Sequence, residues 1–198
     1  MSRILLVRHG QSEWNARGQW QGQADPPLTD LGRRQAQIAA ELAGSFDLIA
    51  SSDLQRARDT AETIATAIGV GPVQVDSDLR ERHIGEWQGL TRSEIDERYP
   101  GYLAERRRPA SYESDGAIRA RVVPALARLA AAIDGGTALV VAHGGVIYTI
   151  EALLGLGFER IPNLGGRWIE ITASAMRHHE RVLMIDPDTV EASVPGQL

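Results

Sequence analysis

Two short apolar runs in this chain, residues 4–7 and 139–141, stop in the same way: the first at Arg8-His9-Gly10, the second at Ala142-His143-Gly144-Gly145. Short apolar runs broken like this read as buried strands of an open sheet. In open α/β sheets ligands bind outside the carboxyl ends of the strands, which is where Arg8, His9 and His143 emerge. An imidazole with one nitrogen held by a hydrogen bond and the other free can act as a nucleophile, and a neighbouring guanidinium supplies planar donors for a phosphoryl group. A covalent phosphohistidine is the chemistry suggested by these strand ends.

Between the two runs the pattern alternates helix and strand, the sign of parallel crossovers. Residues 11–27 are polar and Gly-containing and read as a loop leaving the first strand. Thr29 is placed to cap a helix whose Leu31, Gln35, Ile38, Ala39 and Leu42 form one stripe, with Gly44 as its stop. Residues 46–50 form a second apolar run, and Asp53 is placed to cap the helix that follows, up to Gly69. Arg56 then lies in the first turn of a helix that begins where a strand ends, where the free N–H groups already favour an anion. Residues 73–75 read as a short strand. Residues 79–89 are too polar and too broken by Gly to read as core. Residues 91–116 are the least regular part and read as an excursion that covers a site. Ile118 to Ile133 carry a further helical stripe, with Pro124 expected to bend it or mark its start. Residues 147–154 form a short helix, and residues 168–172 and 182–185 read as late strands at the sheet edge.

Composition removes several alternatives. The chain has no cysteine, so thiol catalysis and thiolate metal sites are excluded. All 21 basic residues are Arg, which also rules out Schiff-base and P-loop lysine chemistry. A net charge of −5 argues against nucleic acid as a partner. No stretch reaches the roughly 18 apolar residues of a membrane span, and no signal peptide pattern opens the chain; a cytoplasmic location is expected. No His pair at helical spacing and no Asp-rich loop point to a metal, and no cofactor is expected.

Four segments carry a resemblance: Leu-Val-Arg-His-Gly-Gln-Ser-Glu-Trp-Asn at 6–15, Ser-Ser-Asp-Leu-Gln-Arg-Ala-Arg-Asp-Thr-Ala at 51–61, Leu-Arg-Glu-Arg-His-Ile-Gly-Glu-Trp-Gln-Gly at 79–89 and Ala-His-Gly-Gly at 142–145. In this order they resemble the histidine phosphatase superfamily, also called the phosphoglycerate mutase-like family. The resemblance implies an α/β three-layer sandwich, a mostly parallel central sheet with helices on both faces. It also implies that His9 takes the phosphoryl group and that Arg8, Arg56 and His143 bind it in transfer. Glu81 is then the general acid, which protonates the leaving alkoxide and afterwards deprotonates water. Asn15, Gln21 and Gly22 match phosphate or substrate contacts of the family, and Gly144 and His83 are placed with them. His83 reads as a hydrogen-bonded wall, Glu86 as a lip residue beside Trp87, and His178-His179 as a solvated pair in a polar turn.

Residues 1–186 are expected to form one domain and residues 187–198 a tail. The span after Glu81 is short and the tail carries no basic residue, both of which favour hydrolysis of a small phosphomonoester over mutase transfer. Against that, Glu81-Arg82-His83 resembles the mutase form of the motif, and Arg106, Arg107 and Arg108 either hold a substrate carboxylate or are solvated. A silent phospho-ligand binding module is the remaining alternative, opposed by the presence of every one of the five catalytic positions. Strands near 168–172, if at the edge, can pair two copies into a homodimer.

Overall fold

Strand β1 (Ser2–Arg8) is buried on both faces because it has a neighbour on each side and helices above and below. The structure, a computed structural model that describes residues 1–193, pairs β1 in parallel with β4 (Thr137–Ala142) and antiparallel with β5 (Gly165–Ile171). The full order is β3 (Gln74–Val75), β2 (Leu48–Ser51), β4, β1, β5 and β6 (Met176–Leu183). The first four run parallel and the last two are antiparallel.

Strand alternation then decides which side chains meet which helices. Ile4, Leu6, Ala138 and Val140 pack with α5 (Asp115–Ala132) and α6 (Gly144–Leu153) on one face. Leu5, Val7, Leu139 and Val141 pack with α2 (Asp30–Leu42) and α3 (Gln55–Ile68) on the other. The result is the three-layer α/β sandwich implied by the motifs. Caps set the helix starts: the Thr29 hydroxyl accepts from the Gly32 N–H at 3.0 Å, and the Ser114 hydroxyl does the same for Ala117 at 3.1 Å.

Several expectations are corrected. Asp53 does not cap α3: the N-cap residue is Leu54, the Gln55 N–H donates to Asp25 Oδ1 at 2.7 Å, and the Asp53 carboxylate is taken by the Arg80 guanidinium. Pro124 does not mark the start of α5, which begins at Asp115 and runs through it. The loop of residues 11–27 holds a short helix, α1 (Glu13–Ala16), closed by a Ser12–Asn15 capping box. In the stretch 79–89 Leu79, Ile84 and Trp87 are nevertheless buried while the residues between them stay half-buried or exposed, and Trp87 centres a third cluster with Trp20, Leu90 and Ile95. Alternation is absent there: Leu79 is interior by packing with α5, and Ile84 and Trp87 by packing with Trp20 and with Ile95 and the tyrosines of the excursion. That excursion contains the helix α4 (Arg92–Arg98).

Both late strands are longer than expected; β6 lies at the sheet edge as expected, but β5 does not. β5 lies inside the sheet between β1 and β6, so its backbone groups are already paired and cannot join two copies. The His178-His179 pair sits in β6, with His179 facing Glu170 at 3.5 Å. Residues 187–193 of the expected tail lie against the domain: Val190 is buried, and the Ser193 carbonyl accepts from the Asn163 N–H at 2.9 Å. Residues 194–198 lie outside the described residues.

Candidate active site

Parallel pairing of β1 with β4 brings Arg8 opposite Ala142, so the residues that follow, His9 and His143, leave the sheet side by side. Their rings meet edge to face, with centroids 5.2 Å apart. The ladder continues one step past the strand, because the His9 N–H donates to the Ala142 carbonyl at 3.1 Å. Arg56, in the first turn of α3, reaches the same point from the neighbouring crossover.

The hydrogen bonds of His9 determine which nitrogen is free. Nδ1 lies 2.6 Å from the Gly10 carbonyl, which can only accept, so Nδ1 carries the proton. Nε2 therefore holds the lone pair, and it accepts from Arg56 Nε at 3.1 Å. The rest of the Arg56 fork is spent on the loop around it: Nη1 donates to the Ala24 carbonyl at 2.7 Å and Nη2 to the Gly22 carbonyl at 3.0 Å. Gly22 adopts φ +52°, and a side chain there would also strike Ile84, so glycine is required on both counts.

Four buried bases and cations share this small volume without a salt bridge from Arg8 or Arg56 among the described residues. Arg8 Nη1 donates to the Ile161 carbonyl at 3.0 Å, while Arg8 Nε and both ring nitrogens of His143 are buried without a partner. Buried polar atoms are rarely left so, and here they form an anion-binding set. Burial lowers the pKa of every member. His9 is pushed well below its usual range by burial and then by Arg56 and Arg8; His143 is pushed down by burial, then Arg56, His9 and Arg8. Arg56 is drawn down to about 10 by burial, against the opposing charges of Glu81 and Asp25. At neutral pH the site thus holds two neutral imidazoles and two guanidinium ions.

A stability prediction follows from these directions. Both histidines stay neutral in the folded protein, whereas in the unfolded chain they take up protons near pH 6.5, so the unfolded state binds more protons as pH falls. The stability due to neutral histidines is complete above that pH. Below it, stability falls by up to about 1.4 kcal/mol per pH unit for each. Denaturant unfolding at pH 7.5, 6.5 and 5.5 should show a shallower acid decline for His143→Asn than for wild type; equal declines would contradict the burial of a neutral ring.

Glu81 approaches from a segment outside the sheet. Its carboxylate accepts from the Arg82 N–H at 2.7 Å and from the Gly145 N–H, at the start of α6, at 3.1 Å. A Cβ at Gly145 would collide with that carboxylate, so a bare backbone is what admits Glu81 beside the histidines. Arg8, Gln21, Gly22, Glu81 and Gly144 line a pocket of about 40 Å³. It shares Trp20, Arg82, Tyr112 and Gly145 with a larger cavity of about 770 Å³.

The remaining expected residues are placed as follows. The Gln21 Oε1 accepts from the Ser12 hydroxyl at 2.7 Å. Asn15 is buried behind the pocket, its Oδ1 3.3 Å from Asn163 Nδ2. His83 is not brought into the pocket: it is exposed, and its Nδ1 is occupied by the Ser111 carbonyl at 3.1 Å, so it is a wall of the covering segment only. Arg106 and Arg108 line the larger cavity, but Arg107 turns away to Tyr102 and Glu105. Among the described residues no group of three or more His, Cys, Asp or Glu is arranged to hold a metal ion, and no helix is long and apolar enough to cross a membrane.

Sequence reading missed Asn163, whose Nδ2 donates to the His9 carbonyl at 2.8 Å, and Tyr148, whose hydroxyl accepts from the Ile161 N–H at 2.9 Å. Through Ile161, Tyr148 steadies the carbonyl that holds Arg8. Neither residue stands in a periodic pattern that would have pointed to it.

Comparison with known proteins agrees with this geometry. The model of the histidine phosphatase superfamily (branch 1) matches residues 4–184. A glucosyl-3-phosphoglycerate phosphatase of Mycolicibacterium vanbaalenii is 40% identical over 188 residues, covering 85% of this chain and 83% of that protein. A metal-independent phosphoserine phosphatase of Arabidopsis thaliana is 38% identical over 160 residues, covering 76% of this chain and 67% of its own length. The solved mycobacterial glucosyl-3-phosphoglycerate phosphatase in complex with VO3 superposes with a TM-score of 0.80 at 37% identity, covering 89% of this chain and 96% of the other.

Proposed function

The chain belongs to the histidine phosphatase superfamily (branch 1), and from that premise we propose that it hydrolyses small phosphomonoesters through a phosphohistidine on His9. The observation that carries the reading is the pair of bonds on one ring: Gly10 holds the Nδ1 proton, and the Nε2 lone pair points to Arg56. In the first half-reaction Nε2 attacks phosphorus, the ester P–O bond breaks, and Glu81 delivers a proton to the departing alkoxide. Arg56 Nε then passes from Nε2 to a phosphoryl oxygen, with Arg8 and His143 as further donors to the transferred group. In the second, Glu81 takes a proton from water, the new P–O bond forms, and the N–P bond breaks to return neutral His9 and free phosphate. Positioning and charge supply most of the acceleration in such transfers.

For the substrate we propose a phosphate ester of a hydroxy acid. The relatives named above act, by their names, on glucosyl-3-phosphoglycerate and phosphoserine, both esters of this kind. Arg92, Arg106 and Arg108 in the larger cavity suit a carboxylate, and the rings of Tyr148 and Phe158, 4.8 Å apart and tilted by 58° at its wall, suit a ring beyond it. Phosphate release from a panel containing phosphoserine, 3-phosphoglycerate and its glucosyl derivative tests the class. Full activity is expected in EDTA; loss of activity with recovery on adding a divalent metal would remove the mechanism, and a panel in which simple alkyl phosphates lead would remove the substrate class.

A further inference from the structure

Glu81 must offer its proton at one point in space, yet residues 80–83 belong to no helix or strand and have no ladder of backbone bonds to fix them. Two carbonyls of this stretch, those of Arg80 and Glu81, accept from one side chain on α5; the Glu81 carbonyl also accepts from Gln23 Nε2 at 3.1 Å, and the His83 carbonyl from the Glu113 N–H at 2.8 Å. Arg121 Nη1 donates to the carbonyls of Asp78 and Arg80, each at 2.7 Å, and Nη2 donates to the carbonyl of Glu81 itself at 3.1 Å. Its remaining two donors form a fork on Glu113, Nε to Oε1 at 2.8 Å and Nη2 to Oε2 at 2.9 Å. A guanidinium has five N–H donors, and here all five have an acceptor. Glu113 closes the bracket from the other side, because its Oε2 also accepts the His83 N–H at 3.0 Å. Both side chains are well covered, at 18% and 13% exposure, so these are bonds in a low-dielectric setting and not a solvated ion pair.

We infer that Arg121, braced by Glu113, is a positioning residue for the proton transfer: it sets the main chain of Glu81 so that the carboxylate meets the leaving oxygen. All five of its donors are spent on this segment and on Glu113, so none is left for a phosphoryl group or for His9. Another arginine on the same helix shows the contrast. Arg128 pairs with Asp76 and Asp78 in an exposed position and bonds to no carbonyl of the segment.

This rests on Glu81 being the acid, so both residues are tested together by the dependence of kcat/KM on the leaving group. The steady-state constant kcat/KM reports phosphoenzyme formation, the step in which the alcohol departs. A poor alkoxide leaving group needs the proton, whereas an activated aryl oxide such as p-nitrophenolate does not. For Arg121→Lys, which keeps the charge but cannot meet five acceptors, we expect a loss of about 10- to 100-fold on alkyl phosphates, the scale of a misplacement of about 1 Å. On p-nitrophenyl phosphate the loss should stay below about threefold. Glu81→Gln should show the same selective pattern more strongly, and Arg128→Ala should leave both substrates unchanged.

If Glu81→Gln lowers both substrates equally, Glu81 is not the acid and the catalytic reading fails with this one. If Glu81→Gln is selective but Arg121→Lys lowers both equally, Arg121 only supports the fold and the inference is overturned. Should Arg121→Lys not fold, Glu113→Gln, which removes one arm of the fork, takes its place under the same two outcomes.

Discussion

His9→Ala is expected to lower phosphatase activity by about 10⁴-fold or more, the scale seen when a covalent nucleophile is removed from a working set. The ring cannot be replaced by its neighbour. His143 lies with its centroid 5.2 Å away but has neither nitrogen held by a carbonyl, so no bond selects the tautomer that would present a lone pair. Rapid quench of wild-type enzyme with radiolabelled substrate should trap protein-bound phosphate that is labile to acid and stable to base, as expected of a phosphorus–nitrogen bond. The variant should trap none. Label of the same kind on His9→Ala, or a loss of less than about tenfold, would place the nucleophile elsewhere.

Arg56→Met is expected to cost about 10³-fold or more in kcat/KM. Three separate bonds end on this guanidinium: one at the His9 lone pair and two at the carbonyls of Gly22 and Ala24. Its removal takes a buried positive charge from the transferring group and also frees the loop that carries Gln21. Arg56→Lys should recover little of the loss, since donors that radiate from one nitrogen cannot span acceptors placed against three separate nitrogens of a planar fork. A Lys variant within about tenfold of wild type would mean that charge alone matters and that the fork does not. Melting curves on both variants separate the catalytic loss from unfolding.

The strand ends and their histidines were legible in the sequence because burial on both faces leaves a strong mark: unbroken Ile, Leu and Val that stop at a polar residue. Arg56 was legible for a related reason, since a strand followed at once by a helix has few ways to arrange its turn. What escaped was held by contacts distant along the chain. Asp53 has the local pattern of a cap, but a bidentate partner, Arg80, outcompetes a single backbone N–H for its carboxylate. Trp87 looked peripheral among polar neighbours and is fully buried, because Tyr99 and Tyr112 of the excursion close over it. The antiparallel turn of β5 and β6 put residues 168–171 inside the sheet, which no periodicity could reveal. Nothing in the local pattern singles out Arg121 and Glu113, since what recruits them is a set of carbonyls, and carbonyls are common to all residues.

The position of β1 has a consequence for how this molecule can change. Strands flanked on both edges and covered on both sides are the last parts of a protein to open, so the amides leading to His9 should exchange with solvent only in events that dismantle the entire sandwich. Trp87 and its companions form a separate small cluster outside those strands, whose amides should exchange in smaller openings. Chemistry and recognition are therefore housed in portions of unequal rigidity, which leaves the choice of ester free to drift during evolution while the phosphorus-handling rim endures.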